Sequence, residues 1–215
     1  EISLAHNGIL FLDEFPHYTK NSLETMRQPL EDRIITISRA RYNVTLPCSF
    51  MLVAAMNPCP CGYYNDPSHE CTCTPAQGQR YLSPLLDRID LQVEAVPVPV
   101  KELTNAPEGE PSADIRARVV AARERQRERF ANCPGVHCNA QMSARQLQEL
   151  VQLDEAAQDA LSMALDRLGL SARAYERVLK VARTIADLDG SDKVQRQHIA
   201  EAVSYRNLDR STWGT

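Results

Sequence analysis

The sequence contains no long hydrophobic run, few aromatic residues and little lysine. No apolar stretch approaches the roughly 18 residues of a membrane-spanning helix, and the residues from Glu1 onward do not resemble a signal peptide. We therefore expect a soluble, cytoplasmic protein without a membrane partner. Of the 24 basic residues, 20 are arginine, while the net charge is −4. This charge excludes nucleic-acid binding over the whole surface, so any such binding requires a local basic patch.

A phosphate-binding loop is also absent from these 215 residues. No Gly-x-x-x-x-Gly-Lys-Ser/Thr pattern occurs, although such a loop is a common cradle for the β and γ phosphates of a nucleotide. A predicted core strand instead begins within the first ten residues. We therefore expect a C-terminal fragment of a larger protein, and one that hydrolyses no ATP alone.

The stretch from Gly8 to Glu14, Gly-Ile-Leu-Phe-Leu-Asp-Glu, predicts a strand that is buried on both faces. Asp13 and Glu14 follow its C-terminal end, which is where open α/β sheets bind ligands. Such a carboxylate pair can hold a hydrated Mg²⁺ with one member and orient or deprotonate a water with the other. The alternative is a buried strand that ends in a solvated acidic turn.

A second buried run, Ser49 to Met56, ends at Asn57. If the two runs form neighbouring parallel strands, Asn57 lies at the same edge as Asp13 and Glu14. Between the two runs, 33–38 and 42–46 predict a hairpin whose connection carries Arg39 and Arg41. These arginines are candidate contacts for a DNA backbone, and the alternative is that they keep an exposed strand edge soluble.

Four of the seven cysteines occur as two close pairs, Cys59-x-Cys61 and Cys71-x-Cys73, in a loop spanning 58–75. Two dithiol pairs can meet at a tetrahedral centre, and thiolate ligands favour Zn²⁺. We therefore predict a structural zinc site, in which His69 can replace one thiolate. The alternative is four reduced thiols in a flexible loop.

The second half of the sequence predicts only helices. A segment rich in proline and acidic residues, 97–111, indicates a linker between a domain at 1–96 and a helical domain at 112–215. Helices are predicted at about 113–131, 143–151, 154–168, 171–187 and 191–205, and a strand at 90–96. The arginines of the first helix form either a solvated face with ion pairs along the helix or a contact for DNA or another subunit.

Together these motifs resemble those of AAA+ ATPases. Asp13 and Glu14 match the Walker B pair, Asn57 matches sensor 1, and 82–90 is similar to the segment that carries the arginine finger, Arg88, in the magnesium-chelatase and MCM branch. The amino-acid sequences of 57–62 and 77–84 are similar to those of the ComM/YifB group of magnesium-chelatase-like proteins. Residues 170–177 match the start of the sensor 2 helix, where Arg173 or, one turn later, Arg177 would reach the γ-phosphate.

This resemblance implies an α/β fold, the C-terminal part of an AAA+ core with parallel strands and a pre-sensor hairpin, followed by an all-helical lid. It implies ATP and Mg²⁺ as ligands, a homo-oligomeric, hexameric ring, and single-stranded or branched DNA as partner. The expected activity of the full-length protein is ATP-driven DNA helicase and branch migration during natural transformation and recombination. Two alternatives remain open: an ATPase motor of the magnesium chelatase type that acts on a protein complex, and a zinc-stabilised assembly module without activity.

Overall fold

A computed structural model describes residues 1–39, 42–64, 69–74, 76–77, 89–95, 109–168 and 171–206. These residues belong to two compact units, one containing the described residues up to 77 and the other those from 89 onward. All strands lie in the first unit, and the second is helical. The architecture therefore agrees with the predicted order of an α/β part followed by a helical part.

The first unit is built on two parallel strands, β1 (Ile9–Leu12) and β4 (Met51–Ala54). They pair in register from Ile9 opposite Met51 to Leu12 opposite Ala54. The ladder continues past both strands, because the Ala55 N–H donates to the Leu12 carbonyl at 2.9 Å. The predicted parallel pairing is confirmed, and the C-terminal ends of both strands share one edge.

The prediction that β1 is buried on both faces is wrong for this chain. Leu12 is buried, but Ile9 and Phe11 are 61% and 59% exposed, and Met51 on the neighbouring strand is 56% exposed. Side chains of a strand alternate between two faces, so these residues share the uncovered one. Both faces of a parallel sheet are buried only when other elements pack on each of them. In the described part of the first unit, other elements pack on one face of this sheet.

Two short helices and a hairpin connect the parallel strands. Helix α1 (Lys20–Thr25) is capped by Thr19, and α2 (Arg27–Asp32) contains Pro29 in its first turn. A proline is tolerated in the first turn of a helix, where the backbone N–H has no partner within the helix. Strands β2 (Ile34–Arg39) and β3 (Tyr42–Pro47) then form the predicted antiparallel hairpin.

The described residues of the helical unit form five α-helices: α3 (Ser112–Arg129), α4 (Ala144–Leu150), α5 (Glu155–Leu168), α6 (Ala172–Leu188) and α7 (Arg196–Ser204). Ser143 and Ser171 cap α4 and α6 through their side chains, as their positions predicted. Helix α7 begins five residues later than expected, because Gln195 and not Ser191 is its N-cap. The core is formed mainly by small and branched residues of α5, α6 and α7.

The predicted strand at 90–96 is absent from the described residues 89–95, which have no regular structure. This segment instead bonds to the helical unit: the Gln92 N–H donates to the Tyr205 carbonyl at 2.9 Å, and Arg206 donates to the Ile89 carbonyl. Of its alternating residues, the polar Gln92 is buried, whereas Leu91 and Val93 are 51% and 75% exposed, so the apolar residues of this segment do not pack into a sheet. The predicted linker covers 97–111, of which only 109–111 are described.

Candidate functional site

The shared edge of β1 and β4 carries three predicted site residues. Asp13 and Glu14 directly follow β1, and Asn57 lies three residues after β4. All three side chains are exposed, and Asp13 Oδ1 accepts a hydrogen bond of 2.9 Å from the Glu14 N–H. Two carboxylates and an amide at the carboxyl ends of neighbouring parallel strands form a set that can hold a hydrated cation and a water.

Glu14 adopts a backbone conformation that is uncommon for a residue with a side chain. Its φ of 50° and ψ of 43° lie in the left-handed helical region. The backbone on both sides is fixed, because Leu12 bonds to Ala55 and the buried Phe15 donates its N–H to the Ala55 carbonyl at 3.1 Å. Strained residues held by ordered neighbours are frequent at functional sites.

Only part of the predicted DNA-contacting and arginine-finger set can be located. Arg39 is the last residue of β2, pairs with Tyr42 and is exposed. Arg41 and Arg88 lie outside the described residues. The hairpin that carries Arg39 is exposed along nearly its whole length, including Ile37 and Val44 at 39% and 37%.

The two candidates for sensor 2 differ in their surroundings. Arg177 forms an ion pair with Asp90, and its side chain is 19% exposed. Arg173 is the second residue of α6 and is exposed. Both arginines remain candidates for the sensor 2 contact.

The four predicted cysteine ligands lie together in the first unit. Their sulfurs are all within 4.8 Å of one another. Cys59 Sγ lies 3.3 Å from Cys61 Sγ and 3.7 Å from Cys71 Sγ, and Cys61 Sγ lies 3.6 Å from Cys71 Sγ. His69 is not part of this group; its ring stacks on Tyr63 with centroids 4.7 Å apart. The predicted substitution of His69 for a thiolate is therefore not seen, and the candidate set consists of four sulfurs.

Backbone N–H groups surround these sulfurs. Cys61 accepts from the N–H of Tyr63 and Thr72, and these bonds, with Tyr63 first, outweigh burial and lower the pKa of Cys61 to about 5. Burial, followed by its cysteine neighbours, raises the pKa of Cys73 to about 12. Ionisation is therefore uneven within the cluster, since the pKa of Cys61 is lowered and that of Cys73 is raised.

The helical unit contains a charged cluster that the sequence interpretation missed. Asp187 is fully buried and accepts hydrogen bonds from Arg129, Arg183 and Asn139. Arg183 and Asp187 are four residues apart on α6, on the side that also carries the buried Ala182 and Ala186. Two opposite charges within an apolar stripe could have indicated this pair from sequence.

Several arginines of α3 form ion pairs with carboxylates. Arg129 reaches Asp187, Arg125 lies 3.4 Å from Asp192, and Arg118 bonds to Glu110. Arg127 pairs along the helix, with Glu124. The ion pair of Arg129 with the buried Asp187 joins α3 to α6, whereas the pairs of Arg118 and Arg125 lie at the surface.

No helix among the described residues is both long and apolar enough to cross a membrane.

Comparison with known proteins agrees with this arrangement. A sequence model described as "Magnesium chelatase, subunit ChlI" matches residues 1–103, and one described as "Magnesium chelatase, subunit ChlI C-terminal" matches residues 109–206. The chain is 46% identical to YifB of Salmonella typhimurium over 216 residues, and 46% identical to YifB of Escherichia coli over 217. It is 44% identical to the competence protein ComM of Haemophilus influenzae over 215 residues. Each alignment covers 98% of this chain but only 41% of the relative. With both halves matched and the strand edge and helical unit in the expected order, the chain belongs to the magnesium chelatase subunit ChlI family, in its ComM/YifB group.

Proposed function

We propose that this chain is part of a ring-forming, ATP-dependent motor that acts on DNA. The observation that carries the proposal is the placement of Asp13, Glu14 and Asn57 at one edge of two parallel strands. This is the place and the residue set expected for Walker B and sensor 1 in an AAA+ ATPase. Family membership supports ATPase activity in a protein of the relatives' length, of which this chain spans about 41%.

At this edge each residue has a distinct task. Asp13 would hold Mg²⁺, which neutralises charge on the phosphates when bound. Glu14 would orient and deprotonate the attacking water, and the backbone hydrogen bonds of Leu12 and Phe15 hold the chain on both sides of it. Asn57 would hold that water or the γ-phosphate by hydrogen bonds. Arg88 of one subunit would stabilise transition-state charge in the site of its neighbour, with Arg173 or Arg177 as the second cationic contact.

The uncovered face of the parallel pair supports an incomplete sheet. Ile9, Phe11 and Met51 expose a continuous apolar surface that isolated soluble units rarely leave open. In a protein of the relatives' length, further parts of the core would cover this face and supply the phosphate-binding loop. Subunits would then assemble as a hexameric ring with ATP between neighbours.

DNA as the substrate is supported by the hairpin. Both faces of the hairpin are largely exposed, and it carries Arg39 at the end of β2, two positions before Arg41 in the sequence. A hairpin of this kind, directed into a ring, would contact the phosphate backbone of a strand regardless of base sequence. One relative is a competence protein, ComM. We therefore propose helicase activity and branch migration, as the resemblance to that group implies.

The test measures ATP hydrolysis by the full-length protein with no DNA, with single-stranded DNA and with a branched junction. We expect DNA to raise turnover, and Glu14→Gln to abolish it while ATP binding is retained, since the glutamate acts on the chemical step. Asp32→Asn, which changes an exposed carboxylate at the end of α2, is the matched control and should have little effect. Turnover that ignores DNA but rises with a partner protein complex would favour the magnesium chelatase type of motor instead.

A further inference from the structure

The loop that follows Asn57 has the geometry of a closed metal site. Four sulfurs lie within 4.8 Å of one another, and the three pairs for which distances are resolved are 3.3, 3.7 and 3.6 Å apart. A tetrahedral zinc site with Zn–S bonds of about 2.3 Å requires sulfurs separated by about 3.8 Å. The observed spacing therefore fits zinc closely, and the widest pair must close by at most about 1 Å.

The sulfurs are not joined to each other. All seven cysteines are free thiols, and a disulfide would require an S–S separation of about 2.0 Å. Four unbonded sulfurs at these distances match the donor set of a tetrahedral zinc site, which thiolate ligands favour.

The backbone around the cysteines places N–H groups near the sulfurs. Residues 59–62 form a tight turn, in which the Gly62 N–H donates to the Cys59 carbonyl at 3.0 Å. Gly62 has a φ of +84°, which a residue with a side chain adopts only with strain. This turn directs the Tyr63 N–H to the Cys61 sulfur, and the Cys73 N–H likewise donates to Cys71. Backbone N–H groups thus lie beside two of the four sulfurs, as in the outer shell of a metal site.

We propose that Cys59, Cys61, Cys71 and Cys73 bind one structural Zn²⁺ that holds the two ends of this loop together. Four Zn–S bonds form, and the protons of the thiols that are still protonated leave to solvent. Four protein ligands leave no open position for water, so the site supplies order and not catalysis.

The two ends of the loop explain what the metal orders. Cys59 is fully buried and lies two residues after Asn57. Cys73 directly precedes Thr74, which forms a reciprocal cap with Gln77: the Thr74 N–H donates to Gln77 Oε1 at 2.9 Å, and the Gln77 N–H donates to Thr74 Oγ1 at 3.3 Å. Zinc would thus tie the end of β4 to the start of the segment that leads to Arg88. Between the two ends, the rings of Tyr63 and His69 stack on each other and form a second contact within the loop.

The apolar content of this loop is too low to order it by burial, since Cys59 is the only residue among the described positions 58–64, 69–74 and 76–77 that is buried. Burial of apolar surface is what normally offsets the loss of chain entropy on folding. Metal binding can take its place, because the free energy of zinc binding becomes free energy of local folding.

The test uses the 215-residue chain expressed in zinc-containing medium and purified without chelator. Elemental analysis should find about one zinc per chain. Zinc-edge X-ray absorption should show four sulfurs at about 2.3 Å, which requires no variant. Cys71→Ser should lose most of the metal, while Cys133→Ser, a thiol of the helical unit, and His69→Ala should retain it.

Proteolysis within 58–77 gives a readout of local order. It should accelerate when zinc is removed by chelation and slow again when zinc is restored. A zinc content below roughly a tenth of an equivalent, a sulfur count below four, or full retention of metal in Cys71→Ser would each overturn the proposal. None of these outcomes depends on ATPase activity or DNA binding.

Discussion

Replacing Asp187 should be the most damaging single change to the helical unit. The carboxylate is fully buried and lies 2.5 Å from Arg129 Nη2, 2.8 Å from Arg129 Nη1, 2.9 Å from Arg183 Nη2 and 2.8 Å from Asn139 Nδ2. Arg183 is itself only 1% exposed. Asp187→Ala would leave two guanidinium groups without their shared counter-charge, one of them away from water.

The expected loss follows from that burial. Breaking a buried ion pair by removing one partner costs about 3 to 5 kcal/mol, a large share of the stability of an ordinary domain. For a unit of about 100 residues, this lowers the melting temperature by at least roughly 10 °C. Since α3, the 139–141 turn and α6 all meet at this carboxylate, the whole helical unit should unfold earlier.

Thermal and urea unfolding, followed by helical circular dichroism, measure the effect. Asp192→Ala is the matched control, because Asp192 pairs with Arg125 at 3.4 Å but is 98% exposed, and such pairs contribute at most about 1 kcal/mol. Equal losses of stability in the two variants would contradict the role assigned to the buried Asp187. So would an Asp187→Ala chain with unchanged stability.

Acid provides an independent readout of the same contact. Burial alone would raise the pKa of Asp187, but hydrogen bonds from Arg129 and Asn139 and the charges of Arg183 and Arg129 lower it below its ordinary value of 3.8. A lowered pKa in the folded state means that the contribution to stability is complete above the ordinary value and is lost as the pH falls through the lowered one. Asp187→Ala should therefore reduce the fall in stability below about pH 4.

Three further predictions concern the proposed motor. In the full-length protein, Arg88→Ala should leave ATP binding nearly intact and reduce hydrolysis by about three orders of magnitude or more, since an arginine finger acts on the transition state. Mixing Arg88→Ala subunits with Glu14→Gln subunits should restore some turnover. If no mixture restores turnover, Arg88 does not act in the site of a neighbouring subunit. Replacing Arg39 and Arg41 together by alanine should weaken DNA binding equally for all sequences and reduce its salt dependence. Arg145→Ala, which changes an 85% exposed side chain of α4, is the control. An unchanged salt dependence would mean that the hairpin arginines only keep an exposed strand edge soluble. The 215-residue chain alone should show no ATP turnover; activity that tracks its concentration and disappears in Glu14→Gln would contradict this.

Much of the local structure was predictable, because its causes lie within a few residues of sequence. The apolar runs at 9–12 and 51–54 indicated strands, and the alternation on either side of 40–41 indicated a hairpin. Ser143 and Ser171 predicted helix starts because their hydroxyls bond to N–H groups three residues on. The close cysteine pairs predicted a cluster, since two short spacings leave few ways for four thiols to be arranged.

What the sequence could not determine depends on contacts between distant residues. Asp187 meets Arg129 and Asn139 across 58 and 48 positions, and Asp90 meets Arg177 across 87. No local pattern specifies such pairs, because they form only when the helices pack, and packing also decides which arginines of α3 face carboxylates. The same reason explains the error at β1: the sequence determined that Ile9 and Phe11 are apolar and extended, but only the tertiary structure decides whether another element covers them.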